Sequence, residues 1–380
     1  MKSILFTTAI FSIITLSACE SRQTDKPATS TTKASLGSQI FNDISLSRDG
    51  TQSCASCHNL SNNAANDTRI NASSINAKTP GAVSLGQDGR SLGDINTPDI
   101  RYAKFIPDFH FDKKEGLFIG GLFLDGRAKN LVAQAKQPFL NPVEMQTTAK
   151  AVVAKIKQKY QKQMQFLYGK TIFNNEEKAF EAIAQSLVAF QNTADFSLFN
   201  SKFDQVLAGK ATFNKQELLG KDVFEDEKKG NCAACHPVPT QASSPAESLL
   251  TDFSYDNLGV PSNLQVRRLN GKGKNFVDNG LFNNPNVNDA NLKGAFRVAG
   301  LRNIANSAPY MHNGVFKDLK TVVHFYNTRD VKNAVNPETN KPWRVAEVDK
   351  TKNIEELGDL GLSEEEEDAI VAFLQTLSDR

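Results

Sequence analysis

The sequence has no excess of charge of either sign and no long apolar run beyond its first residues. Its 44 basic side chains are balanced by 42 acidic ones, which excludes the basic surface of a nucleic-acid-binding protein. No later stretch reaches the length of a membrane span, and the alternation typical of β-strands is scarce. Tryptophan occurs once, at Trp343. A chain of 380 residues predicts two domains.

The N-terminus has the pattern of an export signal. Lys2 precedes a short apolar run ending in LSAC, which resembles a bacterial lipobox whose cysteine, Cys19, is lipidated. An ordinary secretory signal with an unrelated cysteine is the alternative. Glu20 is not the aspartate that favours inner-membrane retention, so the outer membrane is preferred. We expect a signal peptide at 1–18, a flexible tether at 19–35, and a periplasmic protein attached to the membrane only through its lipid.

The other four cysteines form two copies of C-x-x-C-H, the pattern that attaches haem c. Two thiols one helical turn apart add to the vinyl groups of one porphyrin. The imidazole of the histidine that directly follows the second cysteine then reaches the iron. A zinc site of four cysteines and a thioredoxin-like dithiol are alternatives, but neither explains a histidine after each pair. We expect two covalent haems with two axial histidines. The motifs are Cys54, Cys57 and His58, and Cys232, Cys235 and His236.

The segments before the two motifs resemble each other, LGSQIF at 36–41 and LGKDVF at 219–224. With the long separation of the motifs, this repeat predicts two cytochrome c-like domains, which we place at 36–205 and 206–380. Helical periodicity covers 149–168 and 176–192. The expected fold class is all-α, with two cytochrome c-like haem domains and long loops.

Further stretches narrow the function: LGSQIFNDISLSRDGTQSCASCH at 36–58, LFLDGRA at 122–128, QA…NPVEM within 134–145, and LRN…APYMHNG within 301–314. In order and spacing they resemble the bacterial di-haem cytochrome c peroxidase family, which includes the MauG-type enzymes. The resemblance runs from about residue 36 to the C-terminus. It implies a calcium ion between the haems and reduction of hydrogen peroxide at the N-terminal haem. Electrons then arrive from a small cytochrome c or copper protein through the C-terminal haem.

The resemblance also assigns a distal pocket to the N-terminal haem. Glu144 stands where the family keeps its acid/base, and Gln134 matches a residue of the same pocket. Peroxide cleavage needs a group that takes a proton from one oxygen and returns it to the other. From the residues alone, Asn141 to Glu144 also fits a helix start with Glu144 as a capping carboxylate. Arg127, which fits a surface or propionate-pairing arginine, receives no catalytic role.

The calcium positions of the family match Asn96, Ser307 and Pro309. The family has a threonine where Ser307 stands, but the expected contact is a backbone carbonyl, so the exchange costs little. The same three residues also fit ordinary turns. His312 matches a position at the haem edge and is not a predicted iron ligand.

A helix predicted over 318–326 carries the remaining candidate ligand. Leu319, Val322, Val323 and Tyr326 share one face, whereas His324 lies about 200° from Tyr326 around the helix and should face solvent. MauG-type members have a tyrosine at the position of Tyr326, and peroxidases a methionine. The resemblance therefore makes Tyr326 the second iron ligand of the C-terminal haem, although on spacing alone it also fits a core tyrosine.

The sequence departs from the peroxidase pattern twice. Leu124 replaces the tryptophan that usually lies between the haems. No histidine occurs between His58 and His110, whereas peroxidases that need reductive activation have one near 84–89, so we expect a permanently open N-terminal haem. A periplasmic di-haem peroxidase is the leading interpretation. A MauG-like oxidase acting on a protein side chain, favoured by Tyr326, and a non-enzymatic electron carrier are the alternatives.

Overall fold

The structure is a computed structural model that describes residues 31–58, 81–239 and 247–380. Within these ranges helices are the main regular elements and the strands are few and short, so the α class is confirmed. The helices are α1 (Lys33–Phe41), α2 (Cys54–Cys57), α3 (Leu131–Leu140), α4 (Ala149–Tyr168), α5 (Glu176–Gln191), α6 (Lys202–Leu207), α7 (Lys215–Glu225), α8 (Leu264–Leu269), α9 (Leu319–Thr328) and α10 (Glu364–Gln375).

Short strands form three antiparallel pairs among these helices. They are β1 (His110–Asp112) with β2 (Leu117–Ile119), β3 (Tyr255–Asp256) with β4 (Phe296–Arg297), and β5 (Val335–Asn336) with β6 (Lys341–Pro342). In the second pair Tyr255 lies opposite Arg297, and Asp256 lies opposite Phe296. Long loops connect most elements, as the sequence predicted.

Buried apolar side chains form two main clusters. One joins α1, α3, α4 and α5 around Leu36, Ile156 and Ile183. The other joins α6, α7, α9 and α10 around Phe203 and Phe373. The predicted domain boundary between 205 and 206 falls inside α6. Because α6 packs in the second cluster through Phe203, a boundary before this helix fits the packing better.

The same helix crossing occurs in both clusters. Helix α1 packs on α5, and α7 packs on α10. A Cβ atom at Gly37 would lie 1.9 Å from the Ser186 oxygen, and one at Gly220 would lie 1.8 Å from the Ala369 oxygen. Only glycine permits such an approach of two backbones. The repeated Leu-Gly pair therefore marks the crossing of the helix that leads into each C-x-x-C-H motif.

Most of the predicted helices are present. Those predicted at 149–168 and 176–192 correspond to α4 and α5, and the one at 318–326 corresponds to α9. The helix start predicted at Asn141 is wrong: this residue ends α3, a turn follows, and α4 begins only at Ala149, capped by Thr148.

The predicted lipidation site at Cys19 lies outside the described residues, as does most of the predicted tether. Helix α1 begins at Lys33 and is capped by Thr32, so its first three residues fall within the predicted tether. Within the described ranges, the chain has no helix with both the length and the apolar character needed to cross a bilayer.

Candidate functional site

A cavity of about 360 Å³ surrounds the second C-x-x-C-H motif. Its lining includes Cys232, Cys235 and His236 on one element and the apolar face of α9 on another. All four side chains that were predicted to share that face line the cavity: Leu319, Val322, Val323 and Tyr326. The candidate ligand Tyr326 and the attachment motif thus open into the same space.

His236 is oriented by a backbone carbonyl. Its Nδ1 lies 2.7 Å from the oxygen of Leu250. A carbonyl oxygen only accepts, so Nδ1 carries the proton and Nε2 keeps a lone pair, the form in which imidazole binds a metal. Burial lowers the pKa of His236, which further favours the neutral ring. The side chain is prepared as an axial ligand.

His324 does not face solvent as predicted. Its side chain is only 28% exposed, and its Nδ1 lies 2.8 Å from a carboxylate oxygen of Glu367 on α10. The prediction failed because α10 covers that side of α9, which the sequence of α9 alone does not reveal. His324 is nevertheless absent from the cavity lining, whereas Tyr326 is present.

The thiols do not have the features of the two alternative sites. Among the described residues, which include all four cysteines of the motifs, no three His, Cys, Asp or Glu side chains are grouped to hold a metal. Burial raises the pKa of Cys54, Cys232 and Cys235 to about 12. A thioredoxin-like dithiol needs a lowered pKa instead, so zinc and dithiol chemistry are both disfavoured.

The first C-x-x-C-H motif is close enough to Glu144 for the two to interact electrostatically. Cys54 packs in the N-terminal cluster with Met145 and Phe139, and the negative charge of Glu144 contributes to the raised pKa of Cys54. The backbone N–H of His58 donates to the Cys54 oxygen at 2.9 Å. Helix α2 and the candidate acid/base therefore lie within electrostatic range of each other.

Glu144 is a partly buried carboxylic acid held by its own turn. Burial raises its pKa, and the hydrogen bond from Asn141 and the charge of Arg127 partly oppose this. The amide of Asn141 bonds the Glu144 carboxylate, so Glu144 caps no helix. Gln134 lies half-buried on α3, and within the described residues no hydrogen bond joins its side chain to Glu144.

Gln87 stands in the loop where activated peroxidases have a histidine, and its amide is fully engaged. The Nε2 group donates to Asp49 at 3.1 Å and to Gln146 at 3.0 Å. Its Oε1 accepts a hydrogen bond from the Asp49 backbone N–H at 3.1 Å. The backbone N–H of Gln87 donates to the backbone oxygen of Glu144 at 2.9 Å. Gln87 thereby ties the segment before Cys54 to the turn of Glu144.

The three candidate calcium residues line one edge of the cavity. Asn96 donates its backbone N–H to His312 at 2.7 Å and its amide N–H groups to Gly81 and Ala82 at 2.9 and 3.1 Å. Its Oδ1 therefore faces away from those carbonyls. Pro309 packs against Gly81. Asn96, Ser307 and Pro309 offer amide and carbonyl oxygens, the ligand type that calcium prefers.

Two placements were not foreseen. Trp343, distant in sequence from every motif, packs behind α9, with its ring 5.2 Å from Phe325 and 6.0 Å from His324 between centroids. Arg297 lines the cavity beside Leu124, whose carbonyl accepts the Arg297 backbone N–H at 2.8 Å. Neither residue belongs to a motif, so no local signal could have assigned them to the site.

Comparisons with known proteins agree with this geometry. Residues 31–212 match the family model described as di-haem cytochrome c peroxidase. The methylamine utilization protein MauG of Paracoccus denitrificans is 43% identical over 91% of this chain and 88% of its own length. The cytochrome c551 peroxidase of Nitrosomonas europaea is 30% identical over 76% and 71%. The crystal structure of the diheme peroxidase BthA from Burkholderia thailandensis is similar with a TM-score of 0.76 and 28% identity, over 93% and 87%.

Proposed function

Because the chain belongs to the bacterial di-haem cytochrome c peroxidase and MauG family, we propose that it reduces hydrogen peroxide to water with electrons from a small redox protein. Membership makes the chain an oxidoreductase and implies two c-type haems. The non-enzymatic electron carrier is therefore set aside. The haems supply the oxidising and electron-transferring chemistry, and the protein supplies attachment, orientation and proton handling.

The side chains at both motifs fit this cofactor. Each pair of half-buried cysteines precedes a histidine, and at the second motif the Nδ1 contact with Leu250 directs Nε2 of His236 away from the backbone. Tyr326 borders the same cavity and is the proposed second ligand there. Burial raises the pKa of Tyr326, so its hydroxyl keeps its proton at neutral pH unless a strong cation displaces it.

Glu144 beside Cys54 is the observation that carries the proposed peroxidase activity. Burial raises the pKa of Glu144, and a carboxyl group placed beside the reacting oxygens serves both to accept and to release a proton. Glu144 would take the proton from the oxygen of peroxide that stays bound and return it to the oxygen that leaves as water. Two electrons and two further protons then complete the conversion of peroxide to two waters. Gln134 is proposed to border the same pocket.

A MauG-like oxidase, which takes electrons from a protein side chain, is the second candidate. Tyr326 favours it, because an anionic phenolate stabilises ferric over ferrous iron and makes the haem a poorer acceptor from ordinary cytochromes. The 43% identity to MauG of Paracoccus denitrificans over most of both chains points the same way. Leu124, in place of the interhaem tryptophan, weighs against a close functional copy.

The remaining parts of the proposal concern calcium and location. The oxygen donors at Asn96, Ser307 and Pro309 support one calcium ion at the cavity edge. The lipobox supports a periplasmic protein anchored through Cys19, with the outer membrane preferred.

Steady-state turnover of the purified di-haem protein tests the proposed activity. Hydrogen peroxide is added with a reduced small cytochrome c or a reduced copper protein, and donor oxidation is followed by absorbance. Two donor molecules oxidised per peroxide would support the peroxidase. Negligible donor oxidation, together with peroxide-dependent oxidation of tyrosine or tryptophan side chains in a protein mixture, would select the MauG-like oxidase instead.

A further inference from the structure

Five arginines are at least nine-tenths buried in the described part of the chain, and four of them have a carboxylate partner. Arg101 pairs with Asp99, Arg267 with Asp94 and Glu347, Arg302 with Asp204, and Arg329 with Asp330. The fifth is Arg297, which is 9% exposed. Among the described residues it forms no ion pair, so a buried cation stands without a counter-ion.

The hydrogen bonds of Arg297 leave most of its guanidinium unused. One terminal nitrogen donates to the Val298 oxygen at 3.3 Å, and Nε is buried without a partner among the described residues. An unpaired buried charge is costly, and burial lowers the pKa of Arg297. The strand β4 places this side chain at the wall of the cavity that contains the second C-x-x-C-H motif.

A second unsatisfied polar atom lies at the same wall. The His312 ring stacks on Phe296, the residue before Arg297, with centroids 3.7 Å apart and planes inclined by 11°. Nε2 of His312 is buried and has no hydrogen-bond partner within the described ranges. His312 also lines the cavity. In the described part of the chain, Arg297 Nε and His312 Nε2 are therefore both buried without a hydrogen-bond partner, and both residues line the cavity.

The nearest strand supplies no partner for them. Asp256, on β3 beside β4, instead accepts hydrogen bonds from the Asn353 amide and from the Asn257 backbone, both at 2.7 Å. Among the described residues no carboxylate pairs with Arg297, and the cavity that it lines is the space in which a carboxylate of a bound group could meet it.

We propose that Arg297 binds a propionate of the haem attached at Cys232 and Cys235, in the cavity that His312 also lines. A haem carries two carboxylates and no other negative side group, and a guanidinium binds a carboxylate through two parallel hydrogen bonds. The inference rests on haem attachment at this motif, which is part of the proposed function, but not on the reaction catalysed. Nothing in it depends on whether the enzyme is a peroxidase or an oxidase.

This pairing has a consequence for the potential of the C-terminal haem. A propionate whose negative charge is balanced by the Arg297 guanidinium adds little net charge beside the iron. Without Arg297, the negative propionate would stabilise ferric over ferrous iron, and its own pKa would rise because no cation remains nearby. The midpoint potential should then fall and should depend on pH, since protonation of the propionate removes the charge.

The test compares Arg297→Gln and Arg297→Lys with Arg268→Gln, a charge-matched control at an exposed residue of α8. Intact mass gives the number of haems, and potentiometry over a range of pH gives the midpoint potential of the low-spin haem. We expect a lower, pH-dependent potential for Arg297→Gln, a nearly wild-type potential for Arg297→Lys, and no change for Arg268→Gln.

An Arg297→Gln protein with two haems and a wild-type potential at every pH would overturn the inference. If Arg297→Gln does not fold, the resonance Raman spectrum of Arg297→Lys provides the test. The lysine ammonium cannot form the two parallel hydrogen bonds of a guanidinium, so the propionate band should shift if Arg297 binds the propionate. A shifted band supports the contact, and an unchanged band contradicts it. A wild-type protein with no haem at Cys232 and Cys235 would instead refute the proposed haem attachment.

Discussion

Glu144 differs from an ordinary surface glutamate in its burial, its raised pKa, the hydrogen bond that it accepts from Asn141 and its electrostatic effect on Cys54. The substitution Glu144→Gln keeps the shape of the side chain and removes its proton exchange. General acid–base assistance is typically worth ~10²–10⁴-fold, so we expect kcat to fall by that range while both haems stay bound. Steady-state kinetics and intact mass measure this.

The pH dependence of activity provides a second test of the acid/base role of Glu144. The carboxylate form must accept the first proton, and burial raises the pKa of this group. We therefore expect kcat to rise with pH, with an apparent pKa higher than that of an ordinary glutamate. In Glu144→Gln this rise should be absent. Glu115→Gln, at an exposed hairpin residue, serves as the control. A loss below about tenfold would leave Glu144 with only its contact to Asn141.

Tyr326 and His324 offer a matched pair on one helix. Tyr326 borders the cavity, whereas His324 bonds Glu367 behind it. If the phenolate binds the iron, Tyr326→Phe should change the low-spin spectrum and raise the potential of that haem. His324→Gln should leave both unchanged. Absorbance and electron paramagnetic resonance spectra with potentiometry compare the variants, and a spectral change in His324→Gln alone would contradict the assignment.

At this scale the sequence predicted what depends on local spacing. The C-x-x-C-H pattern and the face shared by Val322, Val323 and Tyr326 follow from positions a few residues apart. Arg297 could not be found in this way, because its significance lies in the absence of a carboxylate on distant segments. The prediction that His324 faces solvent was wrong for the same reason, because its partner Glu367 lies on another helix.

The two crossing glycines make a prediction at the level of elements. Alanine at Gly37 or Gly220 would force Cβ to within 2 Å of a backbone oxygen of α5 or α10. Overpacking of this kind costs typically about 1–3 kcal/mol, and here a backbone must shift. We expect Gly37→Ala and Gly220→Ala each to lower the urea midpoint of unfolding and the yield of haem-loaded protein.

Gly93 provides the control for that pair. A Cβ atom there would be 4.0 Å from the nearest heavy atom, the backbone oxygen of Ile95, so Gly93→Ala should change the urea midpoint little. If Gly37→Ala or Gly220→Ala had the wild-type urea midpoint, the crossing helices, α1 with α5 or α7 with α10, would be able to move apart without a loss of stability. The shared crossing would then not be needed to position the motifs.

Long periodic helices were predictable, but the turn between them was not. Helices α4 and α5 have the composition and periodicity of isolated helices, so their bounds agree closely with the prediction. The segment at Asn141 has good helix-start residues, yet the N–H of Met145 bonds the Pro138 oxygen at 3.2 Å and that of Gln146 bonds the Asn141 oxygen at 3.1 Å. These bonds reverse the chain at the site where Glu144 is needed.

At the scale of the whole molecule, the proposed N-terminal haem pocket would draw on three separate segments that Gln87 joins. The amide of Gln87 joins the stretch at Asp49, which leads to Cys54, and the residue Gln146, which follows Glu144. Gln87 is 6% exposed. Because both amide atoms are already bonded, this loop is fixed in place rather than directed at an iron ligand position.

The last prediction concerns the state of the oxidised enzyme. No histidine lies between His58 and His110, and the side chain at the matching loop position, Gln87, is committed to Asp49 and Gln146. The N-terminal haem should therefore be high-spin, five-coordinate or water-bound, and should react with peroxide without prior reduction. Electron paramagnetic resonance and stopped-flow mixing of the fully oxidised protein measure both properties. Glu144→Gln should slow this reaction without changing the spin state, because it removes a proton carrier and no ligand. A wholly low-spin oxidised enzyme, active only after one-electron reduction, would show that another group binds the iron.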